Sequence, residues 1–304
     1  MNPKTALMLL CLMNLIWGTS YAVGKWTLLY VPPLMLVSFR FLLGGAILWF
    51  FIPSKSKSLT INEWKRILWV AFIGITLSMG VAYWGLRFTT ATKAAIEITL
   101  EPAILFLLAI FLLGESLNMR NFAALVISST GTVILLMDGK NLDQLYSEIV
   151  MGGELWGDLL VILSVIFGAG YTILNKSIAE QAGFIRVTCY ECLLGGAFLI
   201  PPAVLEYFRS PVLNFTYSII SSVIFLGVIC TALGYGLWNL VLTKSPAGEM
   251  AVTLNLQPLG GIIIGYLWLG ETMKWGGYLG TFLILLGVTI ILHKPKSDLK
   301  NSRI

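Results

Sequence analysis

Apolar residues fall into ten runs of about twenty residues, at 5–25, 33–52, 66–86, 91–113, 119–137, 156–176, 184–205, 216–237, 247–269 and 276–292. The runs show none of the strict alternation that marks a transmembrane strand, and each is long enough to cross a bilayer as a helix. The pattern predicts an all-α integral membrane protein with ten transmembrane helices. Connections are short, mostly a few residues, apart from 138–155, so no soluble domain is expected. The first run passes directly into further spans with no evident small-residue cleavage site, and reads as a span rather than a secretory leader.

The polar punctuation repeats. Glu101-Pro102 and Leu113-Gly114-Glu115 return 156 residues later as Gln257-Pro258 and Leu269-Gly270-Glu271. Leu42-Leu43-Gly44-Gly45-Ala46 returns as Leu193-Leu194-Gly195-Gly196-Ala197, and Gly18 and Tyr21 return as Gly168 and Tyr171. Order is kept while the offset grows, as unequal loops in a duplicated module would produce. The expected organisation is a first repeat at 1–137, an extracytoplasmic linker at 138–155, a second repeat at 156–292 and a cytoplasmic tail at 293–304. Five spans per half is an odd number, so the halves insert in opposite directions as two inverted five-helix repeats. Transporters built this way place the substrate near mid-membrane, between the repeats.

Composition agrees: 57% of the 304 residues are hydrophobic, 12% are charged, and the mean hydropathy is +0.86. Lys and Arg favour one set of span ends, including Lys4, Lys55, Lys57, Lys65, Arg66, Lys176, Lys244 and Lys294, by about two to one. By the positive-inside rule both termini are cytoplasmic. The net charge of +5 follows from that bias and gives no reason to expect a nucleic-acid partner.

Trp17-Gly18-Thr19-Ser20 through Lys25, Phe39-Arg40-Phe41-Leu42-Leu43, Glu101-Pro102 and Leu113-Gly114-Glu115, with their echoes, resemble the drug/metabolite transporter superfamily, specifically its EamA-type members. The resemblance spans about 4–295. It implies ten helices in an inverted five-plus-five arrangement, a central cavity lined by four helices of each half, and export or uptake of amino acids, related metabolites or amphiphilic compounds.

A charge at the centre of a span costs about 2.5–3.5 kcal/mol on insertion scales, so Arg40, Glu97, Glu101 and Glu191 need a reason to be there. A rise of about 1.5 Å per residue places Glu101 about 15 Å deep, with Glu97 one turn shallower on the same face. Glu101 reads as a proton- or amine-binding carboxyl, or as a protonated structural group. Arg40 pairs with Glu97 or binds a substrate carboxylate. The repeat maps Glu101 to Gln257 and Arg40 to Glu191, so a cation on one side and an anion on the other would orient a zwitterion. Pro102 and Pro258 each remove a backbone donor near mid-span and mark hinges or broken helices. Among the aromatics, Trp17, Tyr21, Tyr83 and Tyr171 join Asn239 as cavity candidates, although packing and interfacial belts also enrich Trp and Tyr. Glu115 and Glu271 are expected to be structural. The Gly261…Gly265 and Gly276…Gly280 spacings permit close helix packing, internally or in a dimer.

Other classes lack their chemistry. Trp26 follows Gly24-Lys25 where a phosphate-binding loop needs Ser or Thr. Cys189 and Cys192 have redox spacing but lie in an apolar span, and His293 is the sole histidine, so no metal, cofactor or catalytic triad is expected. The sequence thus predicts a non-enzymatic secondary transporter, an exporter of small organic metabolites such as amino acids. It would work by alternating access in the plasma membrane, with proton coupling through Glu101. A facilitated-diffusion carrier or channel is the second reading, and an intramembrane enzyme the third. Oligomeric state is not specified.

Overall fold

The structure, a computed structural model, describes residues 3–54, 58–89, 97–116, 118–137, 143, 147, 155–209, 213, 216–261 and 274–293. All regular structure among them is helical. The helices are α1 (Pro3–Thr27), α2 (Pro33–Trp49), α3 (Ile61–Gly85), α4 (Glu101–Leu113), α5 (Met119–Leu136), α6 (Leu155–Ala182), α7 (Phe184–Arg209), α8 (Tyr217–Leu242), α9 (Ala247–Leu254) and α10 (Trp275–Leu292). A described helix lies in each of the ten apolar runs, and six of them are by themselves long and apolar enough to cross a membrane. Outward-facing side chains such as Leu12, Phe111, Leu112, Trp275 and Phe282 are exposed, which suits a surface solvated by lipid rather than water.

Several helices outrun their apolar stretches, two of them for evident local reasons. α3 begins five residues early, at Ile61, because Thr60 and Glu63 form a reciprocal capping box: the Thr60 hydroxyl accepts from the Glu63 amide, and the Glu63 carboxylate accepts from the Thr60 amide. α6 continues through Lys176 and Gln181 to Ala182 and stops where Gly183 takes a φ of +89°.

Packing is paired across the two halves. α2 lies on α7, α4 on α9 and α5 on α10, while α3 packs on α6 as α8 packs on α1. The two Leu-Leu-Gly-Gly-Ala segments interlock: Gly45 sits against Leu193, Gly196 against Leu42, and the Ser38 hydroxyl donates to the Gly196 carbonyl at 2.8 Å. The α5–α10 seam is closer still. A Cβ on Gly131 would lie 2.7 Å from the Gly280 carbonyl oxygen, and one on Gly280 would lie 2.6 Å from that of Gly131. Gly280 therefore serves internal packing, while Gly265 lies outside the described residues.

Four discontinuities interrupt otherwise regular helices. α3 is π-helical over Phe72–Met79 and α8 over Phe225–Leu233, at corresponding places in the two halves. The chain also turns at Thr99-Leu100 and Asn255-Leu256, immediately before Glu101-Pro102 and Gln257-Pro258. Each proline opens a helical segment, where its missing N–H breaks no hydrogen bond. The Asn255 amide is held at the turn by α5, donating to Ser128 at 3.0 Å and accepting from Thr132 at 3.1 Å. Both prolines thus begin segments at breaks rather than kink continuous helices.

Candidate functional site

A central cavity of about 100 Å³ is lined by residues within or next to these discontinuities. Trp17, Arg40, Tyr83, Glu101, Tyr171 and Gln257, all singled out in the sequence, line it. Ser78, Tyr235 and Trp238 line it as well. Glu191 and Asn239 lie behind Tyr171, and Glu97 lies ahead of the α4 break; these three are not in the wall. The side chain of Tyr21 lies outside the described residues, as do Lys93 and Glu271.

Arg40 is 3% exposed. Its Nη1 donates to the Tyr83 hydroxyl at 2.8 Å and its Nε to Thr231 at 3.1 Å, and it packs over the Phe41 and Tyr83 rings. Thr231 donates onward to Leu226 at 2.9 Å, a carbonyl five residues back within the π-helical stretch. The same stretch offers the Cys230 carbonyl, which accepts from the Trp17 indole at 2.8 Å. The wider turns of α8 thus anchor both the cation and one aromatic wall. No carboxylate pairs with Arg40 among the described residues.

Glu101 begins the second part of the broken fourth span and points towards α6, where Gly168 leaves room for it. A Cβ on Gly168 would lie 3.1 Å from Glu101 Oε1 and 3.2 Å from the Ser78 hydroxyl. The repeat reproduces this approach, since a Cβ on Gly18 would overlap the backbone carbonyl of Gln257. Among the described residues the Glu101 carboxyl has neither a hydrogen-bond partner nor a cation. Gln257 donates through Nε2 to Asn14 at 3.2 Å, leaving its buried Oε1 without a donor. The Trp238 indole N–H, in a side chain only 4% exposed, has no acceptor among the described residues. The residues lining this one cavity thus include, among the described residues, a cation and a carboxyl with no charged partner, and a buried donor and a buried acceptor with no hydrogen bond. Such groups are costly to bury empty and inexpensive to bury around a polar ligand.

Behind the wall, Tyr171 donates to Glu191 Oε1 at 2.7 Å, and Asn239 Nδ2 donates to the same oxygen at 2.7 Å and to Thr188 at 2.8 Å. Asn175 donates to Asn239 Oδ1 at 2.8 Å. Thr188, Asn175 and Thr231 were not singled out in the sequence; lone polar residues in apolar spans are common, and only their convergence is informative.

One end of the helix cluster is closed by Glu115. Its Oε1 accepts from Lys176 Nζ at 2.8 Å and from the Ala247 amide at 2.7 Å, and its Oε2 accepts from the Gly248 amide at 3.0 Å. One carboxylate thus joins the end of α4, the body of α6 and the first turn of α9, where the helix dipole favours negative charge. The expected structural role of Glu115 takes this form. At the other end, Glu206 accepts from the Leu34 amide at 3.0 Å and pairs with Arg87 at 3.4 Å, and Lys25 donates to the Leu86 carbonyl at 2.6 Å. Cys11, Cys189, Cys192 and Cys230 are free thiols, and no group of metal-binding side chains occurs among the described residues.

Known proteins place this architecture. An uncharacterized transporter of Archaeoglobus fulgidus is 29% identical over 296 residues, covering 97% of this chain and 99% of its own length. A probable amino-acid metabolite efflux pump of Salmonella typhimurium is 24% identical, with 92% of each chain covered. A solved crystal structure superposes with a TM-score of 0.75 at 17% identity, covering 94% of this chain and 97% of that one, and so shares the fold. The profile of the EamA-like transporter family matches residues 4–137 and again 155–293. With both halves matched and the cavity lined from both, the chain is a multi-pass membrane transporter belonging to the EamA-like family of the drug/metabolite transporter superfamily.

Proposed function

We propose that the protein is a secondary transporter that exports small zwitterionic metabolites, amino acids or close relatives, by alternating access around this cavity. The observation that carries the reading is that Arg40 and Glu101 line one cavity with no charged partner for either among the described residues. A substrate carboxylate would sit towards Arg40 and the Trp238 N–H, and its ammonium towards Glu101 and Gln257 Oε1. Such a ligand replaces water with charge-assisted hydrogen bonds, the stronger kind in a dry site. The aromatic faces of Trp17, Tyr171 and Tyr235 would cover its apolar part. The efflux-pump relative points to the same substrate class.

Ten crossings as two inverted repeats, in the plasma membrane with both termini cytoplasmic, complete the proposal. The pairing of α2 with α7, α4 with α9 and α5 with α10 supports a two-fold relation between halves. In this orientation the Glu115 clasp closes the cytoplasmic side, so the conformation is shut inward. Glu101 is the group proposed to exchange a proton for substrate: protonated, it loses its attraction for the ammonium and favours release. Pro102 and Pro258, at the breaks, let the parts of α4 and α9 move separately.

The test is flux in proteoliposomes with a mixed amino-acid and metabolite panel, with and without an imposed pH gradient, for wild type and Glu101→Gln. Gradient-dependent flux abolished by the substitution is expected. Flux indifferent to both gradient and substitution would make Glu101 structural and the protein a facilitated-diffusion carrier.

A further inference from the structure

We infer that Glu191 is a second proton site, held out of the cavity and connected to it by the Tyr171 hydroxyl. The side chain of Glu191 is fully buried. Its Oε1 receives two hydrogen bonds, from Tyr171 and Asn239, while its Oε2 has none among the described residues. Asn175, which also interacts with this carboxyl, has a buried Oδ1 that lacks a donor. Among the described residues this one polar cluster thus contains two buried acceptors that no hydrogen reaches. A proton on Oε2 supplies one: Oε1 then behaves as a carbonyl accepting two donors, and Oε2–H turns to Asn175.

Charge leads to the same state. The titratable neighbours are the Tyr171 phenol from α6 and the Cys192 thiol on α7 itself, with the Tyr235 phenol of α8 beyond Tyr171, none of them a cation. The Arg40 guanidinium of α2 is spent on Tyr83 and Thr231. No lysine or arginine pairs with Glu191 among the described residues. An isolated carboxylate with one bare oxygen is far costlier to bury than the neutral acid.

Tyr171 gives the proton its way out. The residue lines the cavity while its hydroxyl touches Glu191. After the carboxyl rotates to exchange its oxygens, its proton passes to Tyr171 Oη as Tyr171 releases its own to water in the cavity. The carboxylate that remains is held by Tyr171 and Asn239, and the reverse sequence reloads it. Use of this proton in transport rests on the proposed function; occupancy and exchange do not, and are measured without substrate.

The experiment is infrared spectroscopy of the full-length protein in lipid nanodiscs at neutral pH, followed after dilution into D₂O. A protonated-carboxyl C=O band is expected in wild type and in Glu101→Gln. It should be absent from Glu191→Gln and displaced in Glu191→Asp, which keeps an acid in the network. Its deuterium shift should slow at least tenfold in Tyr171→Phe. Absence of a Glu191-dependent band, or unaltered exchange in Tyr171→Phe, overturns the inference. Flux lost in the companion transport assay while the band and its exchange stay as described would count against the transport reading alone.

Discussion

Glu115→Ala tests how a single side chain holds three helices together. The substitution removes one carboxylate and three hydrogen bonds, leaving the Ala247 and Gly248 amides and the Lys176 ammonium without that partner. Loss of a helix cap costs about 1 kcal/mol. The ion pair lies between the exposed and buried limits, with side chains 16% and 20% exposed, and is worth about 1–2 kcal/mol. The expected loss is therefore about 2–3 kcal/mol. Glu115→Gln keeps an acceptor for α9 and should lose about half of that, chiefly the charge. Lys176→Met should cost less than Glu115→Ala, because the two amides stay capped. Equilibrium unfolding in mixed micelles reads each value, and the double-mutant cycle between positions 115 and 176 should give a coupling of at least about 0.5 kcal/mol. An alanine variant within about 0.5 kcal/mol of wild type, or a cycle with no coupling, would refute the reasoning.

Gly131→Leu places a side chain where even a Cβ would sit 2.7 Å from a backbone carbonyl, so it should cost about 3 kcal/mol or more, read as a lowered thermal midpoint in detergent; an unchanged midpoint would mean that the α5–α10 seam yields. Trp238→Phe keeps the aromatic face but removes the free N–H, and should raise the KM for transport about tenfold with little change in maximal rate; an unchanged KM would place the substrate elsewhere in the cavity.

Much of the fold can be read along the chain because membrane helices advertise themselves by length and apolarity, and because the polar exceptions recur in order. Helix ends are less legible. Asn62, Glu63 and Lys65 lie ahead of the apolar run at 66–86, yet a capping box begins the helix there. For the site, Arg40, Glu101, Gln257 and the paired prolines stand out as polar or helix-breaking residues in apolar runs. What depth and spacing leave undetermined is the partner. Arg40 and Glu97 look matched by depth, but the hydrogen bonds of Arg40 go to Tyr83 and to Thr231, the latter 191 positions away. Glu191 likewise faces Asn239 and Tyr171 rather than the cavity, a choice made by the rotation of α7 against α6 and α8. The π-helical stretches left no readable mark, because Phe72–Met79 and Phe225–Leu233 have ordinary apolar composition.

Those stretches carry a consequence for register. A hydrogen bond from i to i+5 encloses one more residue than the α-helical bond, and one residue amounts to about 100° of turn and about 1.5 Å of rise. Reverting a single such bond to the α pattern turns everything on one side of it by that amount relative to the other. On α8 the residues beyond the stretch include Tyr235 and Trp238 in the cavity wall and Asn239 on Glu191; on α3 they include Tyr83, which holds Arg40. One local change of bonding partners thus re-aims several of these side chains together. A one-residue insertion or deletion inside either stretch is the genetic equivalent of that step. Related chains that differ there by a single position will turn different side chains towards the same central space.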